Sequence, residues 1–254
     1  MEITLIKKTA VVLFTLCTKM LLAEETSSFY AGPEVYSTSL HIDGVSSDFR
    51  GTLAGAVLGY TYKKSNSLYV NVCVKWALGQ VRNSGHPSRF IHDELIEGQL
   101  GFVGRFWKME LIPFLGFGFH YLIEDRKESE TYTAMKTSYR DYYLPLGLKW
   151  RYYFCDRLNA GLNFAWWKDL DPSVKISGIK GAHWTLDRKE GYRIAMPFEG
   201  FLDSKKRWSV CLEPFWEQYQ LGSDRAVSST GDSLGIKKQT FNYYGGTLTA
   251  SIWF

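Results

Sequence analysis

Five residues carry the most obvious chemistry in this sequence: His92 and Asp93 in one polar stretch, and Asp169, Asp171 and His183 in another. An Asp-x-Asp near a distant histidine could activate water, because a carboxylate can orient an imidazole as a base. Asp169 and Asp171 also stand just before Pro172, however, where aspartates commonly open a turn. His120 is isolated from other metal-ligating residues, which suits a hydrogen-bonded histidine better than a metal ligand. Gly116 and Gly118 are followed by neither a third glycine nor a lysine, so they form no phosphate loop. The sequence contains no nucleophile elbow, HExxH or P-loop. Catalysis, a metal and a cofactor are not expected.

A second set is larger and more regular. Lys75, Arg105, Lys149, Arg151 and Arg193, with Glu34, Glu97, Asp141, Glu199, Glu213 and Glu217, recur at alternate positions of otherwise apolar stretches. Leu68, Val70, Val72, Val74, Trp76 and Leu78 share one parity, and Tyr69, Asn71, Cys73, Lys75 and Ala77 the other. The segment from Arg140 to Phe154 repeats the arrangement, with Lys149 and Arg151 on the polar side. Successive strand side chains point to opposite faces, so each stretch predicts a strand with one apolar and one polar face. An apolar exterior around a polar lumen fits both faces. Five basic and six acidic groups in a narrow lumen predict a network of paired charges that closes it, since an unpaired buried charge is costly.

Such strands are predicted near 29–40, 50–62, 68–80, 94–106, 111–123, 139–154, 158–168, 191–202, 208–220 and 240–254. The connections alternate between short (63–67, 107–110, 155–157, 203–207) and long (about 41–49, 81–93, 124–138, 169–190, 221–239). That rotation and the even strand number predict an all-β, transmembrane antiparallel barrel of about ten strands, with eight or twelve as alternatives. The 9 Trp, 16 Tyr and 16 Phe agree, because such barrels carry aromatic girdles at the membrane interfaces. Tyr69, Phe106, Trp107, Trp150, Tyr152, Phe154 and Trp208 are expected to form the girdle at the short-turn end.

Residues 1–23 have the features of a secretory signal peptide: Lys7 and Lys8, an apolar run, and Ala23 at its end. Lys19 interrupts the run, which is too short for a membrane-spanning helix. A lipoprotein signal at Cys17 is disfavoured by the large Leu16 before it. Residues 24–254 are then a single domain, and removing Glu2, Lys7, Lys8 and Lys19 takes the formal charge from +4 to +2. A near-neutral chain gives no reason to expect a nucleic-acid partner. Cys73, Cys155 and Cys211 remain, an odd and scattered set that specifies no disulfide pairing.

The C-terminal run from Tyr244 to Phe254 carries apolar residues at alternate positions and closes on Phe254. It resembles the recognition signal of outer-membrane proteins inserted by the barrel-assembly machinery. The stretch Pro113-Phe114-Leu115-Gly116-Phe117-Gly118-Phe119-His120-Tyr121, with Tyr143-Leu144-Pro145-Leu146-Gly147, resembles small, functionally uncharacterised barrel proteins of chlamydial and proteobacterial genomes. The resemblance implies export to the bacterial outer membrane, with membrane lipid and the assembly machinery as partners. It implies no activity. The favoured expectation is a non-enzymatic, structural or surface-interacting barrel, with a host or cell-surface ligand reached through the outer loops. A small porin-like channel is the alternative, and an omptin-like surface protease the second. Omptins require an aspartate pair in the second outer loop and an Asp-x-His in the fourth, a pattern this chain does not match.

Overall fold

The computed structural model describes residues 26–128, 134–177, 183–222, 226–227, 233–234 and 237–254. The expected signal peptide lies outside them, as does part of the polar stretch 124–138. The described strands are β1 (Thr26–Ile42), β2 (Phe49–Lys63), β3 (Leu68–Asn83), β4 (His86–Phe102), β5 (Gly104–Phe106), β6 (Met109–Arg126), β7 (Met135–Cys155) and β8 (Leu158–Asp169). They continue with β9 (Ser173–Ile176), β10 (His183–Thr185), β11 (Glu190–Ala195), β12 (Phe198–Phe201), β13 (Trp208–Leu221), β14 (Ala226–Val227), β15 (Ser233–Leu234) and β16 (Gln239–Trp253).

Ten of the segments form a closed ring. Each pairs antiparallel with its sequence neighbours, and β1 closes the ring by pairing with both β2 and β16. β5 continues β4, and β11 and β12 form one strand interrupted at Pro197, which has no N–H to donate. The register fixes the shear. Partners followed from Ser27 through Tyr62, Val70, Leu100, Leu115, Leu146, Trp166, Tyr192, Gln218 and Asn242 lead back to β1 at Ser39. Twelve residues of stagger over ten strands correspond to a tilt of roughly 40° and a backbone radius of roughly 10 Å.

The alternation in sequence is the alternation in space. On β7, Leu144, Leu146, Leu148 and Trp150 are exposed on the outside, while Tyr139, Asp141 and Tyr143 are buried inside. The same outer faces of the other strands, with Val35, Leu58, Val74, Leu100, Phe117, Phe164, Leu212 and Leu248, complete an apolar belt. The start of β1 and the end of β16 meet at the short-turn end, where the Ser27 amide donates to the Phe254 carbonyl at 3.0 Å and the Phe254 amide to the Ser27 carbonyl at 2.9 Å. Phe106, Trp107, Trp150, Phe154 and Trp208 ring this end on the outside. Tyr69, expected among them, is instead buried and points inward.

At the opposite end the strands outrun the belt. The expected long loop at 81–93 is a correction: β3 and β4 continue pairing to Asn83 and His86, leaving two residues between them. Beyond the belt the outward positions become polar and the inward ones apolar, as with Val81 and Ile91, both fully buried. The outer connections are thus 43–48, 84–85, 127–134, 170–189 and 222–238, the fourth carrying the β9–β10 hairpin and the fifth the β14–β15 pair.

Candidate functional site

The lumen is the concave feature of this fold, and its inward side chains stack in levels. At the short-turn rim Glu110, fully buried, accepts from Lys63 at 2.9 Å, Arg105 at 3.0 Å and the Tyr153 hydroxyl at 3.2 Å. Of these four only Arg105 was anticipated as an inward charge, and its side chain is half exposed. Glu110 had been placed in a turn, but extending the parity of Ile112 back by two residues puts it inside.

The next levels hold the expected charges. Lys75 Nζ lies 3.3 Å from Glu34 Oε2. Arg193 donates to Glu217 at 2.8 Å and to Glu213 at 3.2 Å, and its guanidinium lies 3.8 Å from the Phe215 ring centroid. Those pairs satisfy one another. The remaining predicted residues do so only indirectly. Lys149 donates to the Tyr69 hydroxyl, which donates to Gln99 at 3.2 Å; Gln99 donates to Glu97, whose other oxygen accepts from Tyr143 at 2.8 Å. Arg151 donates to Asn163 at 2.6 Å, and Asn163 donates to Glu213 at 2.9 Å. Glu199 accepts from Asn159 and Ser209. Neutral amides and hydroxyls therefore stand between the charges of this half, and the expected direct pairing holds only for part of the set.

Above these lies a level where Asp93 and Asp169, expected in connections, join His120 and Asp141, expected on strands. Asp93 sits on β4 facing inward, 2.7 Å from His120 Nε2, and accepts from the Tyr36 hydroxyl at 2.9 Å. His92 faces the other way, 2.9 Å from Glu94, so the two neighbours cannot share a site. Asp141 and Asp169 are both buried on adjacent strands. His183 is exposed on β10 and Asp171 is exposed in the connection. The five residues first considered for hydrolysis thus do not converge. Among the described residues no group of three or more His, Cys, Asp or Glu could hold a metal. Cys73, Cys155 and Cys211 are free thiols.

The top of the lumen is packed mainly with hydrocarbon, beside a buried ion pair of Arg89 and Glu124 at 2.6 Å. Leu40, Leu53, Val81, Ile91, Leu122 and Phe241, from six strands around the ring, are completely buried and belong to one apolar cluster. β9 and β10 add Val174, Ile176 and Trp184 from above. The Tyr219 ring stacks on Phe241 with centroids 4.7 Å apart, and its hydroxyl lies 2.9 Å from that of Tyr243. The lumen was expected to be filled by paired charges. Ion pairs do fill part of it, and at this end mostly apolar residues join the buried Arg89–Glu124 pair, because beyond the apolar belt the outward positions face water and the inward ones are where apolar residues can be buried. Below this layer remains a cavity of about 260 Å³, running from Asp169 and Tyr219 down to Lys63 and Trp253 at the rim.

No protein-family model matches the chain, and no curated protein sequence matches it. Solved structures do. The outer-membrane protease OmpT from Escherichia coli aligns with a TM-score of 0.59 at 10% identity, covering 92% of this chain and 98% of that one. The transport unit of the autotransporter AIDA-I from Escherichia coli aligns with a TM-score of 0.51 at 7% identity, covering 92% of each chain. At such identities the likeness is one of fold.

Proposed function

We propose that this chain is an integral barrel of the bacterial outer membrane that does not conduct, and that it acts as a structural element or through the surface it presents at its long-loop end. The observation that carries this reading is the apolar cluster in which Leu40, Leu53, Val81, Ile91, Leu122 and Phe241, on six neighbouring strands, pack with Tyr139 of β7, Ala195 of β11 and Leu221 of β13 from the facing wall. An ion crossing it would shed its hydration among packed side chains whose polar groups already hold one another, as Arg89 and Glu124 do at 2.6 Å, and such desolvation is costly. The outer belt supports membrane insertion, since a contiguous apolar band of that extent is not stable in water. The likeness to outer-membrane barrels supports the outer membrane as the location. With the lumen closed, the five outer connections are the part left to meet a partner.

Planar-bilayer recording of the refolded protein tests the reading. A silent bilayer, with gel mobility still reporting a folded barrel, is the expected result. Steady, salt-dependent openings would overturn it.

A further inference from the structure

The short-turn end of the barrel carries a surplus of positive charge that the rest of the molecule does not share. Its four connecting segments, residues 63–67, 103–110, 155–157 and 202–207, hold eight lysines and arginines against Glu110, Asp156 and Asp203, a surplus of five. Residues 24–254 as a whole carry only +2. Glu24 and Glu25, which precede β1 in the sequence, lower the surplus to three and still leave it above that of the whole. The three acids are already engaged. Glu110 is turned inward and held by Lys63 and Arg105. Asp203 accepts from the amides of Arg207 at 2.7 Å and Trp208 at 3.0 Å, and Asp156 lies 3.9 Å from Lys206. Lys108, Arg157 and Lys205 are exposed, and among the described residues none of them pairs with a carboxylate. At the long-loop end exposed charges of both signs are mixed instead, as Lys168 is with Glu190 at 3.8 Å and Arg50 with Asp48 at 3.9 Å.

The cations stand at the depth where a bilayer keeps its headgroups. Phe106, Trp107, Phe154 and Trp208 are exposed on the outside at the same end and continue the apolar belt, and such aromatics mark the boundary between membrane and water. Lys108 Nζ lies 5.5 Å from the Trp107 ring centroid, which places one cation on the girdle itself. Long basic side chains can lay their stems on apolar surface there and keep the charge among the headgroups. The four segments join β2 to β3, β5 to β6, β7 to β8 and β12 to β13, so the cations are spread round the ring. A folded protein docked from one side would meet few of them. The surrounding leaflet meets them all, and each Lys or Arg held near an anionic lipid surface is attracted to it.

We infer that the short-turn rim is a collar for anionic phospholipid headgroups, which gathers such lipids around the barrel in the leaflet at that end. The inference rests on the barrel being integral to a membrane, and it concerns the charge of the headgroup that the rim selects.

The test is electron paramagnetic resonance of the refolded barrel in phosphatidylcholine vesicles, with spin-labelled phosphatidylglycerol or phosphatidylcholine as the probe. Lipid held at the barrel surface is motionally restricted, and its fraction gives the relative association of the two headgroups. Phosphatidylglycerol should be favoured about threefold at low salt and lose that preference at high salt. The triple variant Lys108→Gln, Arg157→Gln, Lys205→Gln should abolish most of the preference. The triple variant Arg50→Gln, Arg82→Gln, Lys168→Gln, at the other end, should keep it. Gel mobility and flotation with the vesicles are checked first for each protein. If the short-turn triple does not fold, the single variants Lys108→Gln and Lys205→Gln take its place, and each should lower the preference. No preference in an inserted wild type, or a preference that survives the short-turn variants, would overturn the collar and leave membrane insertion standing. A wild type that folds but does not float with the vesicles would overturn both. Binding of soluble polyglutamate in detergent, without any lipid preference, would assign the rim to a soluble acidic partner and overturn the collar.

Discussion

Lys75 Nζ on β3 sits 3.3 Å from Glu34 Oε2 on β1, reaching past the intervening strand to a carboxylate forty-one residues earlier in the chain. Thr247 on the opposite side of β1 donates to the same oxygen at 2.8 Å, so Glu34 ties together three strands around the barrel's closure. Removing one partner leaves the other charge in a site it cannot leave. Lys75→Met is expected to destabilise the refolded barrel by about 3 kcal/mol. The double variant Lys75→Met, Glu34→Leu should recover most of that loss. Urea unfolding of the four proteins measures the coupling, and independent, additive losses would show that the pair is not coupled.

Gly118 is required by its neighbour rather than by the backbone. A Cβ built there would lie 2.1 Å from Cζ of Tyr143, whose ring packs over the glycine. Gly118→Ala is expected to cost about 2 kcal/mol through this overlap. Combining it with Tyr143→Leu should remove the steric part of the loss, at the separate cost of the Tyr143 bond to Glu97. A loss unchanged in the Tyr143→Leu background would place its origin in the backbone.

Most of the wall was legible in the sequence because lipid and lumen impose opposite demands on alternate residues over many consecutive positions. Leu68 to Leu78 and Arg140 to Phe154 show this without any spatial information, and all ten barrel strands were placed by it. The pattern misled where its sign changes. Around Val81 and Ile91 the inward residues are apolar and fully buried while outward ones such as Arg82 and Ser88 are polar, so a partial phase reversal was taken for a loop. The same reversal hid Asp93 and therefore its 2.7 Å contact with His120. Which charges meet could not be read at all. That depends on the twelve-residue stagger, which sets Arg193 beside Glu213 and Glu217 but leaves Lys149 beside Tyr69.

The apolar layer makes a prediction about stability that is separate from conduction. Leu122 on β6 is fully buried within the cluster that closes the lumen. Leu122→Ala should cost about 3 kcal/mol, the usual range for truncating a packed leucine in a layer that cannot collapse. Equivalent truncation of Leu146, which faces outward from the belt, should cost much less in a detergent that fills the gap. Equal losses at the two positions would argue against a tightly packed layer.

The β1–β2 connection carries a titratable contact outside the barrel wall. The hydrogen bond with His41 Nδ1 at 3.0 Å, aided by that from Ser39 Oγ at 3.1 Å, holds the Asp48 carboxyl below the ordinary carboxylate range. A depressed carboxyl stabilises the folded connection fully at pH values above its unfolded pKa. That contribution is lost as the pH falls through the folded value. Carboxyl carbon NMR should find the Asp48 midpoint below that of a free aspartate, and His41→Ala should move it upward. A midpoint indifferent to His41 would remove the contact as its cause.

Phe254 closes the barrel and also ends the segment that resembles an assembly signal, and the two roles can be separated. Its ring lies 5.7 Å from that of Phe29, which in turn lies 5.0 Å from Tyr60. Each of these aromatic contacts is worth about 1 kcal/mol, so Phe254→Ala and Phe29→Ala should lower the stability of the refolded barrel by similar, modest amounts. Both substitutions retain the backbone hydrogen bonds between Ser27 and residue 254. If Phe254 is recognised during assembly, only its substitution should sharply reduce the amount of folded barrel recovered from outer membranes of an expressing bacterium. Comparable reductions from both variants would reduce the role of Phe254 to packing at the seam.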